Sequence, residues 1–108
     1  MTDQETADTE RIKEIKFANY KYLKACKENN LPAHMHGGIV DYIVGGYPIG
    51  DFLTKLFSND LTGAMGQADE KNLAAIQDYG GFIYNDIPCG CWGSKEKVAN
   101  WKGLYPKP

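Results

Sequence analysis

Apolar residues recur at intervals of three and four along most of this chain, which is the spacing of one face of an α-helix. The clearest series consists of Ile49, Phe52, Leu53, Leu56 and Phe57. No stretch of useful length alternates apolar and polar residues as a half-buried strand does. The pattern therefore predicts an all-α protein, folded as a compact single domain of five or six helices.

The first helix is expected to follow a polar segment. Residues 1–8 lack periodic apolar positions and predict a disordered tail, so that residues 9–108 form the single helical domain. Thr9 is a suitable N-cap for a helix of about 20 residues that ends before Pro32. Basic residues and one tyrosine fall close to a single stripe beside its apolar face, namely Lys13, Lys16, Tyr20, Lys24 and Lys27. A solvated helix face is the simple interpretation of this stripe.

Glycine and capping residues mark the later helices. A second helix begins after Pro32 and is stopped by Gly45 and Gly46. Residues 48–67 form either one long helix or two that join near residues 58–60. Asp69 is then expected to cap a helix that runs to about Asp86.

Two further features concern the last third of the chain. Gly80 lies on the apolar stripe of the helix after Asp69, which predicts the close approach of a neighbouring helix. Ser94 is expected to cap a last short helix, in which Val98 and Trp101 face inward.

Charge is strongly segregated along the chain. The net charge of the 108 residues is −2, but residues 11–27 carry +5 and residues 28–94 carry −6. Such asymmetry gives an acidic protein a positive face that attracts phosphates or an acidic partner, or that holds one subunit against another. The seven tyrosines, the two tryptophans and the large total apolar helix face also favour a homo-oligomer.

The sequence predicts a cytoplasmic protein that contacts no membrane. No apolar run approaches the roughly 18 to 20 residues that span a bilayer, and the acidic N-terminus is unlike a signal peptide. Cys26, Cys89 and Cys91 make an odd set, which suits reduced thiols in a cytosol better than a disulfide framework.

A metal site is not expected. His34 and His36 could together with Cys89 and Cys91 supply four zinc ligands. Zinc sites, however, usually separate their cysteines by two to four residues, and histidines two apart on a helix point to different faces. We therefore expect no metal and no cofactor.

Common catalytic motifs are absent, since the chain has no P-loop, no dinucleotide-binding glycine motif, no G-x-S-x-G and no H-E-x-x-H. Asp60 and Asp69 are candidates for acid and base work, but each is also placed to cap a helix. The sequence thus predicts that the protein is not an enzyme.

Trp92, Gly93 and Ser94 form the most informative local group. An indole ring beside the free amides of a helix N-terminus combines a plane that stacks on a base with groups that bind phosphate. The alternative is a buried tryptophan that anchors the last helix.

From Ile39 to Trp101 the order of short motifs resembles a family of small, uncharacterised phage and prophage proteins. The resemblance rests on Ser58-Asn59-Asp60-Leu61, on Ala68-Asp69 with Asn72, and on Trp92-Gly93-Ser94. It implies a phage gene expressed in a bacterial cytoplasm. Small phage accessory proteins of this size often inhibit host defence, so the resemblance also implies an anti-defence role.

Together these features favour a phage accessory protein that sequesters a nucleotide immune signal without catalysis. One alternative is a protein–protein inhibitor of a host defence enzyme, and another is a small hydrolase of the signal that uses His34 or His36. A nucleic-acid partner is not expected, because only one helix is basic. The candidate ligand-binding residues are Lys13, Tyr20, Lys24, Asn59, Asp60, Asp69, Asn72, Tyr84, Trp92 and Ser94.

Overall fold

This computed structural model describes residues 3–106, which contain seven α-helices and one turn of 3-10 helix. The helices are α1 (Asp3–Glu28), α2 (Ala33–Gly45), α3 (Asp51–Phe57), α4 (Leu61–Gln67), α5 (Glu70–Ala74), α6 (Ile76–Asp86) and α7 (Lys95–Asn100). The 3-10 helix, Cys89–Cys91, lies between α6 and α7. The prediction of an all-α single domain is confirmed, whereas the expected five or six helices are too few.

The additional helices arise because two of the predicted helices are each divided. Residues 48–67 contain α3 and α4, separated where Asn59 takes a left-handed conformation with φ 67°. The helix expected from Asp69 to Asp86 is broken at Ala75, whose N–H donates to the Asn72 carbonyl oxygen three residues back. A bond of that span tightens the chain and ends α5 before α6 begins.

Helix α1 begins six residues before the predicted N-cap. Its backbone is helical from Asp3, so the assignment of Thr9 as the N-cap is wrong. Residues 3–8 of the expected tail belong to this helix, and residues 1 and 2 lie outside the described range. Residues 7–14 are all exposed, and among them the apolar Ile12 is 54% exposed. Residues 7–14 of α1 therefore lie outside the core.

The core is centred on α2, which contributes five buried residues from Ile39 to Val44. Tyr42 packs against Phe57 of α3 with the ring centroids 5.5 Å apart. The largest fully buried side chains come from α1, α2, α3, α6 and the 3-10 helix; they are Cys26, Ile39, Ile43, Phe57, Tyr79, Phe82 and Cys91. One continuous core thus joins the helices into a single globule.

The segment after α7 closes the fold against the end of α2. The indole nitrogen of Trp101 donates to the Tyr42 carbonyl oxygen at 2.8 Å, and the N–H of Leu104 donates to the Ile43 oxygen at 3.0 Å. The N–H of Tyr105 donates to the Val44 oxygen at 2.9 Å. The bonds to Ile43 and Val44 satisfy carbonyl groups that the end of a helix otherwise leaves unpaired.

The principal extents of the described chain are 52 × 28 × 20 Å. The long dimension reflects α1, whose 26 residues span about 39 Å at 1.5 Å per residue. Over residues 3–106, none of the helices combines the length and the apolar character that crossing a bilayer requires.

Candidate functional site

A groove lies between the junction of α3 with α4, helix α6 and the residue after the 3-10 helix. We call it the Trp92 groove, and its lining residues are Leu56, Asn59, Leu61, Gly80, Ile83, Tyr84 and Trp92. Its volume is about 210 Å³. Whole small-molecule sites usually occupy roughly 300 to 1,000 Å³, so this groove accommodates one part of a ligand, such as a planar ring system.

The corner between α3 and α4 presents Asn59 to the groove. Asparagine tolerates the left-handed backbone conformation that it adopts here better than most residues do. Asp60 fixes the start of α4, since its carboxylate accepts a hydrogen bond from the N–H of Gly63 at 2.9 Å and so caps the helix. Leu61, the first residue of α4, is thereby placed beside Asn59.

Trp92 is held in the groove by a backbone bond next to it. The N–H of Gly93 donates to the Phe57 carbonyl oxygen at 2.7 Å, which ties the segment after the 3-10 helix to the end of α3. Gly93 has φ 118°, a conformation that side chains rarely permit. The half-buried indole therefore reaches the groove from a segment far along the chain from Asn59.

Gly80 provides space in the groove. A Cβ added to Gly80 would meet no heavy atom within 4 Å. The expectation that this glycine permits a close approach of another helix is therefore wrong. Because the position lacks a side chain, the surface between Ile83 and Leu61 stays open.

The chemistry of the Trp92 groove is that of stacking and neutral hydrogen bonding. Trp92 offers an indole plane, Tyr84 offers a phenol that is 79% exposed, and the Asn59 amide offers both donors and an acceptor. None of the lining residues carries a formal charge. Such a surface can bind a planar ring and contact its polar edge, but by itself it offers no cation to a phosphate.

Four of the ten candidate residues have structural roles outside the groove lining. Asp60, Asp69 and Ser94 cap α4, α5 and α7 by accepting N–H groups of Gly63, Asn72 and Lys97. Asn72 is buried, and its amide oxygen accepts a hydrogen bond of 2.7 Å from the Tyr79 hydroxyl.

The start of the last helix, where the sequence predicts groups that bind phosphate, is short and capped. Helix α7 has only six residues, and the Ser94 hydroxyl already accepts the N–H of Lys97 at 3.1 Å. Ser94 thus caps α7, and the Trp92 side chain lines the groove.

The remaining three candidates lie on α1. Lys13, Tyr20 and Lys24 are all exposed on the side opposite the core. Tyr20 and Lys24 line a shallow depression of about 240 Å³ together with Leu23 and Lys27. The structure thus divides the predicted ligand-binding set between two surfaces of one chain.

His34 and Asp69 form a polar pair at another position on the surface. His34 Nε2 lies 3.0 Å from Asp69 Oδ2, and this contact joins the start of α2 to the start of α5. The N–H of Asn72 donates to Asp69, and this bond, together with His34, lowers the pKa of that carboxyl. His36 contacts the Leu31 carbonyl oxygen at 2.7 Å. Both histidines therefore have local partners.

Two of the three cysteines are buried. Burial raises the pKa of Cys26 and of Cys91 to about 12, so both are thiols at neutral pH. Cys91 Sγ donates to the Pro88 carbonyl oxygen. Among the side chains that the structure describes, those of residues 7–106, no three of the metal-ligating types come together.

Four of the lining residues were not predicted from the sequence. Leu56, Leu61 and Ile83 carry the helical apolar spacing of core residues, and this spacing does not distinguish a groove wall from a core contact. Gly80 is the one local signal, since a glycine in an apolar stripe indicates either a close contact or an opening.

The chain matches no protein-family model, no curated protein and no solved structure. The resemblance to small phage proteins consequently stays a prediction from the motifs.

Proposed function

We propose that this protein is a non-catalytic binder of a nucleotide-type small molecule, with the base of the ligand held in the Trp92 groove. One observation carries the proposal: Asn59, Tyr84 and Trp92, three candidate residues from distant parts of the chain, line one groove. Sequestration of a bacterial immune signal by a phage protein in the host cytoplasm is the biological role that the motif resemblance adds.

The groove suits a nucleobase for two reasons. Stacking of a base on an aromatic side chain contributes about 1 to 3 kcal/mol by alanine substitution, and Trp92 supplies such a plane. The Asn59 amide can pair with a base edge through a donor and an acceptor at once, which discriminates between bases.

Binding without turnover is supported by the chemistry of the lining residues. They include no carboxylate, no histidine and no thiol, which are the usual general acids, bases and nucleophiles. The carboxylate of Asp60, the residue after Asn59, accepts the Gly63 N–H at the start of α4 and lies 3.9 Å from Lys55 Nζ. A homo-oligomer of such binders is part of the proposal, because sequestration benefits from many sites per particle.

The test measures binding of a nucleotide panel, the four nucleoside 5′-monophosphates and the cyclic dinucleotides, by native mass spectrometry and calorimetry. At least one nucleotide should bind without being converted. Trp92→Ala should weaken its binding by about 5- to 150-fold, which corresponds to the loss of one stacked base. Tyr47→Ala, which removes an exposed tyrosine outside the groove, is the matched control and should bind normally.

Asn59→Gly separates the role of the amide from that of the fold. Glycine adopts the left-handed conformation of residue 59 readily, so the corner between α3 and α4 should persist. The variant should fold and bind nucleotide more weakly. Unchanged binding by folded Trp92→Ala and Asn59→Gly, or no binding of any nucleotide to the wild type, would overturn the proposed function.

A further inference from the structure

We infer that Lys97 binds the phosphate of a nucleotide whose base lies in the Trp92 groove, so that a single chain distinguishes a nucleotide from its nucleoside. The inference rests on the proposed function, because it takes the base to occupy that groove. It adds the cation that the groove lining itself does not contain, and it assigns this cation to the side chain of a residue in α7.

The Lys97 ammonium lies over the short segment that carries Trp92. Lys97 Nζ donates to the Cys89 carbonyl oxygen at 3.4 Å. A Cβ added to Gly93 would lie 3.7 Å from Lys97 Cδ and 3.7 Å from Lys97 Nζ. The lysine side chain therefore extends from α7 back across the backbone of residues 89–93, and its charge ends beside the residue that follows Trp92.

Gly93 lies between the two sides of the groove. It is bonded to Trp92 on one side, and its N–H donates to the Phe57 carbonyl oxygen at 2.7 Å on the other. Phe57 is the last residue of α3 and lies two positions before Asn59. Trp92 and Asn59 both line the groove. The ammonium beside Gly93 is therefore close to the backbone that carries each of these two walls.

The backbone of Lys97 is fixed, whereas its ammonium is free to follow a ligand. The N–H of Lys97 donates to the Ser94 hydroxyl at 3.1 Å, which holds the residue in the first turn of α7. The single bond from Nζ to Cys89 is long, and an ammonium has further N–H donors. A flexible lysine stem can therefore turn this charge toward a phosphate oxygen without moving the helix.

Lys97 also differs in its partners from the other lysine near the groove. Lys55 Nζ lies 3.9 Å from Asp60 Oδ2, so a carboxylate already neutralises that charge beside Asn59. Among the side chains described, those of residues 7–106, no carboxylate forms an ion pair with Lys97. The charge of Lys97 is therefore available to an anionic ligand.

This arrangement assigns separate parts of a nucleotide to separate parts of the site. The base stacks on Trp92, and the ribose carries the phosphate out of the groove toward the ammonium. An ammonium and a phosphate form a charge-assisted hydrogen bond, which is stronger than a neutral one. Salt screens exposed charges and leaves stacking largely unchanged. Binding of the phosphate should thus depend on ionic strength, and binding of the base should not.

The test compares each of the four nucleosides with its 5′-monophosphate by calorimetry at low ionic strength. The wild type should bind the monophosphate about tenfold more tightly than the nucleoside. Lys97→Met keeps most of the apolar stem but removes the ammonium, so this variant should bind both compounds with the nucleoside affinity of the wild type. High salt should remove the preference of the wild type for the monophosphate.

Two lysine variants serve as matched controls, with circular dichroism to show that every variant folds. Lys95 is exposed in α7 two positions before Lys97, so it points to a different side of the helix. Lys95→Met should keep the preference for the monophosphate, and so should Lys55→Met. A preference that disappears in Lys55→Met and persists in Lys97→Met would overturn the inference, because Lys55 would then hold the phosphate.

The remaining outcomes separate this inference from the proposed function. Nucleotide binding that Trp92→Ala weakens but Lys97→Met leaves unchanged overturns the inference and supports the proposed function. Equal affinity of the wild type for nucleosides and monophosphates does the same. If cyclic dinucleotides alone bind, Lys97→Met should weaken their binding by about tenfold, and an unchanged affinity overturns the inference. A wild type that binds none of these compounds refutes the proposed function and the role of Lys97 with it.

Discussion

At the scale of single residues, the most informative contact is a buried polar pair between α5 and α6. The Tyr79 hydroxyl donates to the Asn72 amide oxygen at 2.7 Å, and the N–H of Asn72 donates in turn to Asp69. Burial raises the pKa of Tyr79, so its phenol keeps the proton that this bond requires. The chain Tyr79, Asn72, Asp69 joins a fully buried ring to a helix cap.

Tyr79→Phe should destabilise the protein by about 1 to 3 kcal/mol, because the buried amide oxygen of Asn72 loses its donor. Chemical denaturation monitored by circular dichroism measures this change. Tyr84→Phe removes the same hydroxyl from an exposed ring and should change the free energy of unfolding by no more than about 0.5 kcal/mol. Equal effects of the two variants would contradict the role assigned to the buried pair.

The Asp69 carboxylate should make stability depend on pH in the acid range. Its pKa is lower in the folded protein than the ordinary 3.8, through the Asn72 N–H and His34. A carboxyl with a lowered folded pKa stabilises the fold above the ordinary value, and this stabilisation is lost as pH falls through the lowered pKa. Asp69→Asn keeps an N-cap side chain that does not titrate. The free energy of unfolding of this variant should therefore fall less than that of the wild type as the pH is lowered. If the difference in free energy of unfolding between the wild type and Asp69→Asn stays the same from neutral pH to pH about 2, the assignment is contradicted.

At the scale of elements, the end of α2 and the segment after α7 depend on two glycines in contact. Gly46 has φ 73° and Gly103 has φ 94°, both in the left-handed region. A Cβ on Gly103 would lie 2.5 Å from the Gly45 carbonyl carbon and from the Gly46 nitrogen, so backbone atoms would have to move. This close crossing permits the bonds from Leu104 and Tyr105 to the carbonyls of α2.

Gly103→Ala should therefore destabilise the protein by more than about 2 kcal/mol, through the unfavourable φ and the backbone clash together. Gly66→Ala is the matched control, since a Cβ there would meet nothing within 4 Å and the residue lies within α4. It should be neutral or stabilising by up to about 1 kcal/mol, which is the helix preference of alanine over glycine. Thermal unfolding of both variants measures the contrast, and a stable Gly103→Ala protein would show that the crossing is not required.

At the scale of the whole molecule, α1 is one continuous helix with two different environments. Residues 7–14 are exposed all round, whereas Ala18, Tyr22 and Cys26 are buried in the core. Arg11 provides one tether, since its guanidinium donates to the Pro106 carbonyl oxygen and lies 5.8 Å from the ring centroid of Tyr105.

Hydrogen exchange should consequently divide α1 into two parts. A helical segment with few tertiary contacts opens readily, so amides of residues 7–14 should exchange much faster than those of residues 18–28. Deuterium exchange of the intact protein, followed by digestion and mass spectrometry, measures this. Uniform protection along α1 in a dilute monomer would contradict the two-part description.

The local features of this protein were determined by the sequence itself. The caps at Asp60, Asp69 and Ser94 and the stop at Gly46 all form as predicted. They involve partners within four or five residues, so residue type and spacing are sufficient to identify them. The all-α class follows for the same reason, because apolar periodicity is a property of consecutive residues.

Only the tertiary structure decided which helix faces are covered. Ile12 and Val40 are both apolar residues at helical spacing, yet Ile12 is exposed and Val40 is buried, because α1 extends past its neighbours while α2 is surrounded by them. The Trp92 groove depends on three segments that meet only after folding, and its open floor at Gly80 depends on no neighbour filling the space. Burial and grooves result from contacts between residues distant in the chain, and periodicity along one helix does not specify those contacts.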